Sequence, residues 1–563
     1  MKSSKNIKRI LALLLVSLML VAMAACGGSS GDSAGSGDSG GSGDSAGSGG
    51  SGDSAGSGSP SSPGGSAGSG DSGGPGGVPE TSAPESARDT LTVQIIRDTG
   101  TLSPLSGSGS GGMPSGLVGD PLFVVNPDYS LSYRLCENVE KIADDHFIFT
   151  MRQGLTFQNG EPFTAADVLF TMELMREIPA RVTFVRHIDF DKTRLIDDYT
   201  LEIFHSEVLA SQYPTRYGMF PVLSKDAYDP LEITLNPNPM QIGAYRVTEY
   251  VQGSHVYLEA NPDYYGDQPP IKYLRFMFIE EPAQITNALE SGLVNVATTA
   301  TPQDVDHLKA LGLEILRAPD IRSHSVMFNC STLNYEERVA ISYAINSQAI
   351  VDIAWNGLGA LTDYPGSKGV VDYVPEWGGR HDIYVDLYNL DKARDYAERG
   401  GLVGRTITII TDSSDAYDTY AQIIQEDLRK IGVEVEIIRY DVATFTQLLA
   451  SPDATGYDMG FGLTYTASSL GAHTVANWLA VNNCGWFDED FEYVWAEGRK
   501  MLGTMDWDTR QAMVPGYIDL FLQFNPWYTI CSIPWMWAAD PDLDGWTMDA
   551  GGNFRFHYVY WTR

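Results

Sequence analysis

The sequence predicts an α/β protein built on at least two β-sheets, and two observations carry that reading. From 406 to 439 a strand, a helix and a second strand follow at the spacing of a βαβ crossover, which requires a parallel sheet. Earlier in the chain, short strands occur in a mixed pattern without that regular alternation.

Taken in order, Leu91 to Ile96 is a short apolar strand stopped by Asp98 and Gly100. Ser103 to Gly119, rich in Gly and Ser, reads as a loop. Phe147 to Met151 is a strand and Leu155 to Gly160 a turn-bounded edge. Thr164-Ala165-Ala166-Asp167 is a capping box, and Val168, Leu169, Met172 and Met175 then form one helical stripe. Pro282 opens a helix where its missing N–H costs nothing, and Gly292 closes it. Thr406 to Thr411 reads as a buried strand and Tyr417 to Ile431 as a helix stopped by Gly432. Val433 to Arg439 reads as the next strand, with Val433, Val435 and Ile437 on one face.

The first 25 residues read as an address. Lys2, Lys5, Lys8 and Arg9 precede an uncharged run from Ile10 to Ala25. That run is short for a spanning helix and fits a secretory signal. Met23-Ala24-Ala25-Cys26-Gly27 resembles a bacterial lipobox, which makes Cys26 the lipidated N-terminus of the mature chain. Two acyl chains suffice for stable anchoring. Residues 27 to 88 are mostly Gly, Ser, Asp and Pro with almost nothing apolar, and the octad Ser-Gly-Asp-Ser-Ala-Gly-Ser-Gly occurs at 30–37, 42–49 and 51–58. Such a segment buries too little to fold and serves as a flexible tether reaching about 40–50 Å on average. Strings such as Gly37-Asp38-Ser39-Gly40-Gly41 imitate serine-protease motifs. They lack the rigid turn and positioned base a nucleophile needs.

The net charge of −35 argues against nucleic acid and against anionic lipid surfaces. Beyond Cys26, the cysteines are Cys136, Cys330, Cys484 and Cys531. No zinc-type spacing is present. Disulfides in any of three connectivities and buried free thiols both remain open. No motif for a metal, nucleotide or other cofactor appears.

Several strings, in order, resemble the extracellular solute-binding proteins that include the oligopeptide- and dipeptide-binding lipoproteins of ABC importers. They are Phe149 through Val168, containing Phe157-Gln158-Asn159-Gly160-Glu161-Pro162; Ile242-Gly243-Ala244-Tyr245; Asn261-Pro262-Asp263-Tyr264-Tyr265-Gly266; Ala288 through Ala297; and Phe328-Asn329 followed by Arg338 through Asn346. The resemblance implies a two-lobed periplasmic-binding-protein-like fold of type II, with an extra subdomain in lobe 1 and a hinge between lobes. Lobe 1 would comprise 89–327 with 538–563, and lobe 2 would comprise 328–537. It also implies that Cys330 and Cys531, flanking the two crossings, lie near each other.

By the same resemblance, the protein captures a peptide or other small solute in the interlobe cleft. It then delivers the solute to ABC permease subunits, as a monomer anchored by lipid on the outer face of the cell membrane, without catalysis. Peptide binders of this kind carry an aspartate after a strand beginning like Tyr457-Asp458-Met459. Here Gly460 through Ser469 contains no acid. A buried ammonium without a counter-charge is costly, so a peptide ligand is not secured. Thr464, Tyr465 and Thr466 fall on the family's ligand-reading segment. Phe461, Trp478 and Trp355 offer aromatic area for the cleft wall, against the alternative that such residues are core. His324, beside Ser323 and Ser325, is either a cleft residue or a satisfied structural histidine. Two other readings stay open: a sensor or adhesin on the same fold without transport, and a secreted hydrolase using paired carboxylates.

Overall fold

A computed structural model describes residues 86–563 except 97, 99, 107–111, 129, 180, 209–214, 219, 371–372, 413–414, 451–454 and 466–488. The described residues lie in the unit Pro79–Arg563. The tether, apart from its last three residues, and the lipobox lie outside the described residues. Of those three, Ala87 donates its N–H to Trp561 O at 3.0 Å.

The local readings translate into elements. The strand is Thr90–Ile95, with Leu91, Val93 and Ile95 buried. The capped helix is Ala165–Arg176, where Asp167 Oδ2 accepts from the Thr164 N–H at 2.9 Å and from its hydroxyl at 3.0 Å. The Pro282 helix is Pro282–Glu290, and Gly292 turns the chain at φ 70°. In the later unit, Thr406–Thr411 and Glu434–Arg439 pair in parallel around the helix Asp415–Arg429.

Two large sheets organise the molecule. The first has seven strands in the order Glu314–Arg317, Met536–Ala539, Val296–Ala297, Thr90–Ile95, Tyr273–Phe278, His255–Ala260, Tyr245–Val251. The second has five, in the order Glu434–Arg439, Thr406–Thr411, Met459–Tyr465, Arg322–Phe328, Trp527–Ser532. A separate four-stranded sheet, Cys136–Ala143, His146–Met151, Thr200–Phe204 and Arg194–Asp197, carries its own core around Phe147, Phe149 and Met172. That is the two-lobed α/β fold with an added subdomain. The chain leaves the first sheet after Arg317, enters the second at Arg322, and returns between Ser532 and Met536.

Two expectations are corrected. The Ser103 to Gly119 stretch is not all loop, because Gly112–Val118 is helical. Leu117 and Val118 are buried in the core of the first sheet, and that burial overrides the poor helix propensity of glycine. Cys330 and Cys531 are not neighbours. Cys531 pairs with His324 across the strands, six residues before Cys330, a separation on the order of 20 Å at strand rise. Cys136 and Cys531 are free thiols. Cys484 lies outside the described residues.

Candidate ligand-binding site

Strand direction locates the site. In the first sheet, Thr90–Ile95 runs parallel to Tyr273–Phe278 and to Val296–Ala297, so three carboxyl ends share one edge. The returning strand enters at that edge, where Ala538 pairs with Ala297 and Met536 with Arg317. In the second sheet, Thr406–Thr411 runs parallel to Glu434–Arg439 and to Met459–Tyr465. Arg322 pairs with Tyr465 and Ser323 with Ser532, so both crossings emerge from the carboxyl edge there as well. Connectors this short hold the two edges within roughly 15 Å at the crossings. Ligands of open α/β sheets bind outside carboxyl ends, and here two such edges meet across a hinge.

Side chains lock the crossings. The Arg322 guanidinium lies over the Trp535 ring at 3.1 Å, and Trp535 Nε1 donates at 3.4 Å to Thr298 O, just past the Val296–Ala297 strand of the first sheet. Gln303 Nε2 donates to Ala354 O at 3.1 Å, Asn356 Nδ2 to Pro302 O at 3.3 Å, and Arg317 Nη2 to Leu358 O at 3.0 Å.

On the carboxyl edge of the first sheet a cavity of about 200 Å³ opens at the start of the Pro282 helix. Ile285, Leu289 and Leu308 form its apolar floor, and Ile96, Glu280, Thr299, Thr301 and Asp304 line the rest. Asp304 Oδ2 accepts from Thr301 Oγ1 at 2.6 Å. The volume suits one side chain or head group. None of these residues was singled out from sequence. The signal for them is the carboxyl-end rule, which applies only once non-adjacent strands are known to be parallel neighbours.

The residues expected from sequence divide. Thr464 and Tyr465 end the Met459–Tyr465 strand at the carboxyl edge, in register with Ser323 and Arg322. Thr466 and Trp478 lie outside the described residues. Phe461 is buried, stacked on Tyr417 at 5.1 Å and edge-on to Tyr420 at 5.6 Å, so it forms core beneath the edge. His324 is buried with it, its Nδ1 2.8 Å from the Tyr420 hydroxyl. Burial pushes His324 down to about 3, so the ring is neutral. Trp355 is half-buried and donates Nε1–H to the same hydroxyl at 2.5 Å. His324, Trp355 and Phe461 thus form one aromatic cluster under the strand that carries Thr464 and Tyr465. Among the described residues no group of His, Cys, Asp and Glu is arranged to hold a metal.

The comparisons with known proteins bear on the family and the fold. The model of the bacterial extracellular solute-binding proteins, family 5 (middle part), matches residues 130–484. A di/tripeptide-binding protein 1 of Pseudomonas aeruginosa is 24% identical over 344 residues, 53% of this chain and 62% of that protein. Protein XP55 of Streptomyces lividans is 25% identical over 355 residues, 60% of this chain and 64% of that protein. The chain therefore spans less than two thirds of the curated relatives it matches.

Among solved structures, a putative peptide binding protein AppA of Clostridium difficile superposes with TM-score 0.72 at 21% identity, over 84% of this chain and 100% of that one. NikA of Brucella suis in complex with Fe(III)-EDTA gives TM-score 0.73 at 18% identity, over 84% and 99%. AppA of Bacillus subtilis in complex with a nonapeptide gives 0.70 at 16%, over 85% and 100%.

Proposed function

Because the chain belongs to the bacterial extracellular solute-binding proteins of family 5, we propose that it captures a peptide or other small solute between its two carboxyl edges and delivers it to the permease of an ABC importer. The observation that carries this reading is the apposition of the two edges across the crossings, which makes a cleft that hinge motion opens and closes. The expected bounds after 327 and before 538 fall inside the strands Arg322–Phe328 and Met536–Ala539, so we place the division of the lobes at the crossings instead, with the four-stranded subdomain in lobe 1. The chain acts as a binding protein rather than a hydrolase. It works as a monomer on the outer face of the cell membrane, held through lipid at Cys26. No helix among the described residues is long and apolar enough to cross a membrane.

Ligand identity is read by Thr464, Tyr465 and Thr466 on one side and by the Thr299–Asp304 turn on the other. Relatives are named for di- and tripeptides, whereas one structural neighbour holds a metal chelate. The absence of an acid from Gly460 to Ser469 favours a neutral or mixed-polarity ligand, since an ammonium buried there would lack a partner. A thermal-shift screen of peptides and small solutes, followed by calorimetry on Tyr465→Ala, tests the assignment. Loss of one buried contact weakens binding by about 1–3 kcal/mol, roughly 5- to 150-fold. Unchanged affinity in a folded Tyr465→Ala variant moves the site off this segment.

A further inference from the structure

Between the helices Glu489–Leu502 and Trp507–Phe524 lies a short finger, 503–506, that belongs to lobe 2 by its chain and meets lobe 1 by its contacts. Both helices bury their apolar faces in the core of the second sheet, through Val494, Met501, Leu502, Val514, Ile518 and Phe521. Met505 packs elsewhere. It is half-buried and lies against the core of the four-stranded subdomain in lobe 1. Two residues earlier, a Cβ on Gly503 would stand 3.4 Å from the Val208 carbonyl oxygen, four residues past the Thr200–Phe204 strand of that subdomain. Side-chain packing and backbone approach thus put one finger on one subdomain.

The finger is stiff. The Gly503 N–H donates to Arg499 O at 2.8 Å and the Thr504 N–H to Met501 O at 3.1 Å, which ties it to the first helix. Arg510 Nη1 donates to Thr504 O at 2.7 Å, and Asp506 Oδ1 accepts from the Thr509 N–H at 2.8 Å, which ties it to the second. A loop held in this way moves with lobe 2 and does not follow the subdomain when the lobes part. The chain joins the lobes at 317–322 and 532–536. The polar contacts beside those crossings fall on Pro302, Gln303 and Arg317 of lobe 1, outside the subdomain. The finger therefore touches lobe 1 at a separate place, and hinge opening has to break that contact. A thioether suits a contact that is made and broken, because it fills irregular gaps and leaves no hydrogen bond behind. Burying part of one such side chain moves a two-state balance several-fold.

We infer that Met505 is a latch: a positioning residue that holds the lobes closed by seating against the subdomain core, while Gly503 lets the finger approach the Val208 backbone. The latch rests on the hinged-cleft reading above and adds a contact that the ligand does not make. Its consequence is a closed state favoured in part by the protein itself, which raises apparent affinity and slows reopening for release.

The test needs no ligand. Glu207→Cys and Thr504→Cys, at the neighbours of Val208 and Gly503, are placed together in the full chain, and bridging by a short bismaleimide is followed over time by mass spectrometry. The expected result is a bridge in the double variant and in neither single variant. Met505→Ala is expected to slow bridging fivefold or more, and Met505→Leu, which keeps the apolar volume, to restore the rate. That rescue separates a latch from a general loss of structure. If the cysteine pair does not fold, hydrogen exchange in the chain with its native cysteines reads the same contact: amides from 200 to 208 are expected to exchange several-fold faster in Met505→Ala. Equal bridging rates in wild type and Met505→Ala overturn the latch, as does unchanged exchange at 200–208. Absence of a bridge in the folded double variant overturns the apposition itself. Slowed bridging in Met505→Ala with no solute bound in the thermal-shift screen would support the latch while removing solute capture, so the two readings fail separately.

Discussion

The Tyr420 hydroxyl shows how one atom sets the shape of the ligand-side strand. It accepts from Trp355 Nε1, lies 2.8 Å from His324 Nδ1, and also bonds the Cys531 thiol. These partners come from a helix end and from two strands of the second sheet. Removing the oxygen leaves a buried indole N–H and an imidazole nitrogen without a partner, each costing about 1–3 kcal/mol. Tyr420→Phe is therefore expected to lower unfolding stability by about 2 kcal/mol or more in urea, and to weaken ligand binding through the strand it supports. A variant as stable as wild type would show that water replaces the hydroxyl. A steric constraint acts at Gly243, where a Cβ would collide with the Val118 carbonyl, so the Ile242 to Tyr245 turn can lie against the 118–119 backbone only as glycine.

At the scale of elements, the helix Ala165–Arg176 depends on Asp167 for more than its cap. The carboxylate is buried, closes the N-terminus through Thr164, and with Oδ1 accepts from the Lys225 N–H at 2.8 Å. It thus ties the helix to the 221–225 segment across the subdomain core. Asp167→Ala is expected to cost about 2–3 kcal/mol, above the ~1 kcal/mol of an exposed cap, because a buried amide is orphaned as well. Chemical denaturation measures this; a loss no larger than an exposed cap would mean that Lys225 finds another acceptor. The helix was readable from Thr164 and Asp167 and from the Val168, Met172, Met175 stripe, since these signals lie within a few turns of each other. The Lys225 tie was not readable, because it joins positions 58 apart that only folding brings together.

For the whole molecule, pH is the most direct probe. His187 and His205 in the four-stranded subdomain, and His324 in the second lobe, are held down to about 3, 4 and 3. Burial is the main cause in each, aided at His187 by His205 and by Arg216 and Arg186, and opposed at His205 by Asp145. Each folded value lies below the unfolded value of about 6.5, so the unfolded chain binds more protons once pH drops below it. Stability is full above pH 6.5 and declines as pH falls toward 4 to 3, by about 2 kcal/mol per histidine at pH 5. Urea midpoints at pH 7 and pH 5 check this, and His187→Gln is expected to flatten the slope. Equal stability at both pH values would mean that these rings are solvated in solution. The anchor is tested separately. Cys26→Ala is expected to release the chain into the medium, and unchanged membrane retention in fractionated cells would remove the lipid from the account.

What the sequence determined by itself is what short-range chemistry decides. The Thr406 to Arg439 unit, the capped helix, the Pro282 helix and the glycine stops are written in neighbouring residues, through period, caps and turn conformers. The order of strings such as Phe149 through Val168 was enough to indicate the family and the two-lobed class. Only the tertiary structure decided which strands are neighbours. The seven-stranded sheet places Met536–Ala539 between Glu314–Arg317 and Val296–Ala297, and Thr90–Ile95 between Val296–Ala297 and Tyr273–Phe278. No local pattern encodes those pairings, or that of Arg322–Phe328 with Trp527–Ser532 in the second sheet, and on them depend the carboxyl-edge cleft and the separation of Cys330 from Cys531. The burial of Phe461 and His324 was undecidable for the same reason: an aromatic beside a cleft and one beneath it have the same composition. Which face is covered depends on Trp355, Tyr417 and Tyr420, brought there from elements remote in sequence.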